Sequence, residues 1–558
     1  LRKKLTKERR LLMPYKNFKL AIYCTAVFLN RTNLEELEEN LKFFQKHLHV
    51  DKVYLETHRG SDDVQRDKML QIKKFFEDKG IKTSGGITTT IHLDDPIHNM
   101  RIYDTFCYSD DNLKNRLKEI VEYTASIFDE IILDDFYFTS CSCPLCIEKK
   151  GDLSWKDYRL KLMTEVSQEY VVKPAKKVNP KVNMIIKYPN WFESYHENGY
   201  NPETQRNIFD EVYTGTETRD PGYTQQHLPK YLSYYLMRWF ENVKPGKNKG
   251  GWFDSFECIH NIGHYLEQAY LTLFAKAREI TLFDFGSLRN SVFIPPLGFE
   301  LERIDNLLDQ LGNPVGVSVY HPFHSSGEDH LPEYLGMVGI PFEPTPYFPD
   351  NAKMVFLAEN ASEDKDIIEK VKEYLLKGGN VILTSGFLKA LTGKGVEELT
   401  SAKYTDKKAL IDFFAVDTNM RGLSQYVYSR EKILFPVIDY HTNSSWPLIL
   451  GISGENNFPL LIQDFYGRGR VYILTVPDNY SDIYYLPLEV LNQIRKVFMS
   501  EFDVYLEGKE NITLFMYDND AYILESFLPY RTEVTLHTKG KDIKVRLEPT
   551  TLKLVEAK

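Results

Sequence analysis

Residues 131–138 read IILDDFYF: Ile131, Ile132 and Leu133 form a short apolar run that ends in two adjacent carboxylates, Asp134 and Asp135. A buried parallel strand that opens at its C-terminal end onto polar residues has this form. Working outward, the same unit recurs. Apolar runs at 20–29, 52–58, 83–92, 182–188, 211–216, 250–256 and 280–285 each precede a longer amphipathic segment. Helices are predicted over 33–49, 63–78, 113–128, 155–178, 227–243, 262–277 and 300–311, the first opened by Asn33 with Glu36 as a capping box. Eight strand-and-helix units in about 295 residues are the size of a (β/α)8 TIM barrel; a doubly wound open sheet is the structural alternative.

Two further blocks follow the barrel. Buried strands at 315–320, 342–345, 354–358, 381–384 and 471–475, with a helix over 364–377 stopped by Gly378 and Gly379, predict a flavodoxin-like or amidotransferase-like α/β domain. An amidotransferase needs a nucleophilic cysteine, and none occurs after Cys258. From 504 onward the residues alternate at period two, as in 513–517, 521–526 and 533–537, which predicts a small antiparallel β domain. The expected organisation is therefore an N-terminal extension (1–16), a catalytic barrel (17–312), an amidotransferase-like α/β domain without nucleophile (313–503) and a small β domain (504–558).

The chain has 558 residues, 42% hydrophobic and 27% charged, with a net charge of -10. Its basic residues are dispersed after the opening Arg2, Lys3, Lys4, Lys7, Arg9 and Arg10, so no face suits a nucleic acid, and no apolar run reaches the ~18 residues of a membrane span. No apolar signal core follows the basic start. The bacterial cytoplasm and periplasm both stay open as compartments.

Polar residues at the strand ends mark the barrel mouth, where the active sites of such barrels lie. They are Glu56, His58 and Arg59 after strand two; His92, Asp94 and Asp95 after strand three; Asp134 and Asp135 after strand four; Lys187 and Trp191 after strand five; Glu217 and Arg219 after strand six; Trp252, Asp254 and Glu257 after strand seven; and Asp284 after strand eight. Glycoside hydrolysis needs one carboxyl to protonate the leaving oxygen and a second as nucleophile or base. The expected pair is Asp135, as nucleophile or base, and Glu217, as acid, with Asp134 and Asp254 as replacements. Neighbouring strand residues point oppositely, so only one of Asp134 and Asp135 faces the axis. Trp191 and Trp252 are expected to stack on sugar faces, and Glu56, His58, Arg59, His92, Lys187, Arg219 and Asp284 to bind hydroxyls. A metal-dependent hydrolase using His58, His92 and Asp284 is disfavoured by the absence of ligand-like histidine spacing.

Cys107 lies in the loop after strand three, and Cys141, Cys143 and Cys146 in the loop after strand four. Adjacent barrel loops bring four thiolates within reach of one structural zinc; disulfides are the competing reading. No organic cofactor is expected.

A barrel, an amidotransferase-like domain lacking its nucleophile and a small β domain, with one cysteine upstream of Cys141-x-Cys143-x2-Cys146, together resemble the β-galactosidases of glycoside hydrolase family 42. The resemblance implies a glycosidase acting on an oligosaccharide or glycan, a structural zinc cluster and a homo-oligomer. That family places an acid/base Glu after an Asn on strand four and a nucleophilic Glu on strand seven, where this chain has Asp134-Asp135 and Asp254 with, further on, Glu257. The α-galactosidase barrels, with an Asp nucleophile on strand four and an acid/base carboxylate on strand six, are similar in placement to Asp134 or Asp135 with Glu217. The alternative to an enzyme is a non-catalytic carbohydrate-binding protein on a degenerate hydrolase scaffold.

Overall fold

A computed structural model describes residues 13–92, 103–417 and 425–556. Asp94, Asp95 and the basic start lie outside the described residues. The chain divides into two compact units, Leu1–His227 with Lys244–Asp309, and Leu228–Val243 with Gln310–Lys558.

The first unit is a closed barrel of eight parallel strands: β1 (Lys19–Cys24), β2 (Lys52–Arg59), β3 (Lys82–Ile87), β4 (Glu130–Leu133), β5 (Asn183–Tyr188), β6 (Glu211–Gly215), β7 (Asn248–Asp254) and β8 (Glu279–Phe283). Closure is made by β1, which pairs with both β2 and β8. Large side chains fill the interior: Tyr23, Tyr54, Ile132, Ile185, Tyr213 and Trp252 form one buried cluster. They fit because β3 and β7 carry glycines. A Cβ on Gly86 would lie 2.5 Å from the Tyr23 hydroxyl, and one on Gly250 would lie 2.0 Å from the Glu279 carbonyl oxygen. At the N-terminal end Lys52 is held between Glu130 (2.8 Å) and Glu279 (2.6 Å), so charge there is paired.

Several boundaries differ from the sequence reading for identifiable reasons. The run 20–29 does not continue as strand beyond Cys24; Thr25 caps a short helix, Ala26–Arg31. Asn33 does cap the helix Leu34–Gln45 by accepting from the Glu36 amide at 2.9 Å. The Glu36 carboxylate bonds Thr32 and Arg289 instead of returning to the cap, so the box is one-sided. Strand β4 stops at Leu133, because the Tyr137 amide turns back to the Asp134 carbonyl (3.2 Å). The helix expected over 155–178 is interrupted by a π-helical stretch, Ser167–Val172. It lies just before Pro174, which has no amide to donate to the preceding turn. The last barrel helix starts at Ile294, six residues early, with proline in its first turn.

In the second unit Phe342–Thr345, Val317–Tyr320, Met354–Leu357, Asn380–Thr384 and Gly469–Leu474 are all parallel, in the 2-1-3-4-5 order of flavodoxin-like sheets. Four antiparallel strands that the sequence reading did not resolve extend this sheet: Asn456–Tyr466, Trp446–Ser453, Lys403–Val416 and Gln425–Asp439. The helix Leu232–Val243, sixth of the barrel series in chain order, clusters with this unit, where Arg238 clamps Glu343 through two bonds of 2.9 and 2.6 Å. Two small antiparallel sheets complete it: Tyr505–Glu507 with Thr532–Thr538 and Lys541–Leu547, and Pro314–Val315 with Ile512–Tyr517, Ala521–Ser526 and Leu552–Glu556. Among the described residues no helix is long and apolar enough to cross a membrane.

Candidate active site

At the C-terminal ends of the barrel strands a cavity of about 510 Å3 is lined by Asp134, Asp135, Lys187, Glu217, Arg219, Asp254 and Glu257. Aromatic walls flank these groups. Tyr103, Phe136, Phe138 and Trp191 stand on the side of β4 and β5, and Trp252, Phe256 and Phe283 on the side of β7 and β8.

Lys187, at the end of β5, organises the centre. Its ammonium donates to Asp135 Oδ2 at 2.6 Å and Glu217 Oε1 at 2.8 Å, lies 3.8 Å from Asp134 Oδ1, and sits 4.4 Å above the centroid of the Trp252 ring. The two lysine-bonded oxygens can therefore lie no farther apart than the sum of the two bonds. That bound brings one oxygen of each carboxyl within the ~5–5.5 Å spacing of retaining glycosidase pairs; the oxygens left open to the cavity are not fixed by Lys187.

Five carboxylates of the mouth, four of them buried and Asp135 half-buried, differ in how they are used. Both oxygens of Glu56 are taken, by Tyr23, Thr88, the Ala26 amide and Arg59. Asp134 accepts from the Asp135 amide on Oδ1 (2.8 Å), and from Arg59 (2.8 Å) and Thr88 (2.9 Å) on Oδ2. Asp254 is clamped by Arg219 on both oxygens, at 3.0 and 2.8 Å, and also accepts from the Phe256 amide. Only Asp135 and Glu217 bind through one oxygen, to Lys187, and leave the other without a protein hydrogen bond among the described residues.

The electrostatics follow from these contacts. Burial, against the pull of Lys187 and with the charges of Asp134 and Glu217 adding to it, pushes the Asp135 carboxyl up to about 7. Its side chain keeps 22% of its exposure, on the cavity side. Burial also raises Glu217, with Lys187 opposing and Asp254 assisting. For Asp134 burial works the other way from the net result: the cations of Lys187 and Arg59 outweigh it and hold the group below the usual carboxylate range.

Of the residues nominated from sequence, Asp134, Asp135, Lys187, Trp191, Glu217, Arg219, Trp252 and Asp254 come together around this cavity. Glu56 and Arg59 lie beneath it, with the Arg59 guanidinium 5.7 Å from both the Phe136 and Phe283 rings. His58, His92 and Asp284 are not among the cavity-lining residues. A register irregularity between Glu56 and His58 turns the histidine away, and its ring nitrogens bond Asp63 (2.7 Å) and the Thr90 carbonyl (2.8 Å). His92 is largely exposed, and Asp284 caps the short helix Phe285–Leu288. Unanticipated members include Asn190 and Gln226, whose side-chain amides pair reciprocally at 3.0 and 3.1 Å while Asn190 also bonds the Glu217 carbonyl. Their proximity to the ends of β5 and β6 was the signal available.

The four cysteines converge as expected. The ligand atoms of Cys107, Cys141, Cys143 and Cys146 all lie within 4.8 Å of one another, with the Cys107, Cys143 and Cys146 sulfurs 3.6–3.8 Å apart and no disulfide. A tetrahedral ion with metal–sulfur bonds of about 2.3 Å requires sulfur spacings of about 3.8 Å, so the cluster fits a metal of that size.

Comparison with known proteins adds family and fold. A family described as "Probable glycosyl hydrolase, catalytic domain" matches residues 7–296, the second domain of the uncharacterized protein SSO3021 matches 312–479, and "Probable glycosyl hydrolase, C-terminal domain" matches 503–553. The chain is 27% identical over 504 residues to SSO3021 of Saccharolobus solfataricus, covering 83% of this chain and 82% of that one. Among solved structures it resembles the β-galactosidase of Bacillus circulans sp. alkalophilus (TM-score 0.67, 12% identity, 96% and 98% of the two chains). It is similarly close to the β-galactosidase of Rahnella sp. R3 (0.66, 11%, 96% and 98%) and to Gan42B, a GH42 β-galactosidase of G. stearothermophilus (0.66, 10%, 97% and 98%). At these identities the likeness is one of fold.

Proposed function

The chain belongs to the family of probable glycosyl hydrolases whose catalytic domain spans residues 7–296, and from that premise we propose that it cleaves the glycosidic bonds of an oligosaccharide or glycan with Asp135 and Glu217 as the reacting pair. The observation that carries this is the single-oxygen use just described: of the mouth carboxylates held by protein donors, these two alone keep an oxygen for substrate, whereas Glu257, also on the cavity wall, is exposed to solvent. Asp135, with like charges on two sides, is the group suited to hold a proton at neutral pH and give it to the leaving oxygen. Glu217 is raised by burial but drawn down by the cations of Lys187 and Arg219, and we assign it as the group that attacks the anomeric carbon. This reverses the roles suggested by the sequence. The close spacing favours net retention, by a glycosyl ester on Glu217 that water then hydrolyses with Asp135 acting as base. Trp191 and the neighbouring Phe138, 5.3 Å apart in an edge-to-face pair, offer apolar surface to sugar C–H faces.

We also propose that the cysteine cluster holds zinc in a structural role, since four thiolates close the coordination sphere and leave no position for a reactive water.

The test is a panel of aryl glycosides, β-galactosides first, with NMR detection of the first-formed anomer. Asp135→Asn and Glu217→Gln should each lower turnover at least about a hundredfold with the fold intact. Binding of sugars without turnover of any member would favour the non-catalytic alternative.

A further inference from the structure

Resting on that reading, the geometry points to a role for a residue that does not touch the cavity: we infer that Arg59 is a positioning residue that sorts the shared proton, keeping it off Asp134 so that Asp135 carries it. Two adjacent aspartates at one strand end, both near one lysine, form a degenerate pair unless something distinguishes them. The distinguishing contact is Arg59. Its Nη2 donates to Asp134 Oδ2 at 2.8 Å, and its Nε to Glu56 at 3.0 and 3.1 Å. Packing of the guanidinium against Phe136 and Phe283, which both line the cavity, holds it under the floor.

Asp134 in turn accepts the Asp135 amide at 2.8 Å, so the ionised Asp134 also fixes the backbone of its neighbour. Around Asp135 the remaining groups are Lys187 from β5, Glu217 from the end of β6 and the Tyr200 hydroxyl, which donates to the Asp135 carbonyl at 2.5 Å; the Arg219–Asp254 pair stands beyond Glu217. Lys187 acts on both aspartates, bonding Asp135 at 2.6 Å and standing 3.8 Å from Asp134, whereas Arg59 bonds Asp134 and not Asp135. The low position of Asp134 and the high position of Asp135 agree with this division.

The chemistry is conservative in protons. Asp135 gives its proton to the glycosidic oxygen as the C–O bond breaks, and regains one from the water that cleaves the ester. A proton resident on Asp134 would be bonded within the Arg59 and Thr88 contacts and unavailable to the substrate.

The experiment combines two readouts on the full chain. The first is the pH dependence of kcat/KM on whichever aryl glycoside proves a substrate. Activity should fall above about pH 7 as Asp135 loses its proton, and Arg59→Met should move that limb toward acid by about one pH unit or more. Arg59→Lys should restore part of it. Since Arg59 acts through Asp134, Arg59→Met should add no further acid-ward shift in an Asp134→Asn background. The second readout needs no activity: the infrared carbonyl band of a protonated carboxyl in protein labelled with 13C-aspartate at pH 6. Burial pushes Asp329 up to about 6, so the band is read in an Asp329→Asn background; there Asp135→Asn should abolish it, and with Arg59→Met it should survive Asp135→Asn because Asp134 then holds the proton. Should Arg59→Met fold poorly, Arg59→Met with Glu56→Gln removes the buried charges together. Unchanged pH limbs, or a band insensitive to Asp135→Asn in the Asp329→Asn background with Arg59 intact, would overturn the inference. If no glycoside is cleaved while the infrared pattern holds, the proposed hydrolysis fails and the proton sorting stands.

Discussion

Replacing Asp135 with asparagine should stabilise the fold at alkaline pH while removing activity. The folded-state pKa is about 7 against an ordinary 3.8, so the folded protein holds this proton more tightly than the unfolded chain does. For a carboxyl raised in this way, stability falls as pH rises from about 4 to about 7 and is flat beyond. The difference is about 3 pH units, and at about 1.4 kcal/mol per unit an ionised Asp135 costs the fold about 4 kcal/mol at pH 8. Asparagine has nearly the same shape and no charge to bury. The pKa of about 7 is already the net of burial and the opposing pull of Lys187, so the loss of that ion pair is contained in the figure. The expectation is therefore a gain of about 4 kcal/mol as an upper bound at pH 8, a rise of several degrees in the transition of the barrel unit, and little difference at pH 4. Thermal melts of both proteins at pH 4, 6 and 8 provide the assay. A variant that melts no higher than wild type at pH 8, or whose advantage does not grow with pH, refutes the reasoning.

Three further outcomes are expected. A methyl group at Gly215 would lie 2.6 Å from Glu217 Oε2 and 3.0 Å from the backbone of Pro189 and Tyr188, so Gly215→Ala should lower turnover about tenfold or more, since a small misplacement of the reacting group suffices, with a far smaller change in KM. Elemental analysis should find near-stoichiometric zinc, reduced by Cys143→Ser. Mild chelation should lower the melting temperature and spare the initial rate, because a closed four-thiolate site activates no water; loss of activity before any loss of stability would contradict a structural role.

The barrel was legible because its strands are short apolar runs bounded by polar ends. Strands β5 and β6 lie within one residue of the predicted bounds, where buried runs such as Met184 to Ile186 leave no ambiguity. Legibility failed where aromatic residues imitate strand. Phe136 and Phe138 extend the apolar character of β4 beyond its hydrogen-bonded end at Leu133, yet they line the cavity. The added antiparallel strands of the second unit were obscure for the opposite reason. Gln425–Asp439, at the sheet edge, and its neighbour Lys403–Val416 carry many exposed charged residues and lack the apolar continuity that identifies a parallel strand.

The site was legible as a set of positions and illegible as a set of roles. Strand alternation requires that Asp134 and Asp135 point to different places, and they do, one to Arg59 and the other to Lys187. Which of them is reactive depends on partners 75 and 52 residues away in the chain, and spacing along one strand carries no such information. The same holds for charge. Glu56, Asp134, Asp135, Glu217 and Asp254 face Arg59, Lys187 and Arg219, five carboxylates against three cations in a region from which most water is excluded. Full ionisation would leave two uncompensated negative charges there, so at least one carboxyl must keep its proton near neutrality. Arg219 binds one carboxylate, Asp254, and Arg59 binds two, Glu56 and Asp134, whose oxygens are all taken by donors; the pair that shares Lys187 keeps open oxygens on which a proton can sit. A glycosidase needs such a pair, one member acid and one ionised, and on the proposed reading a mouth short of cations would supply it through Asp135 and Glu217.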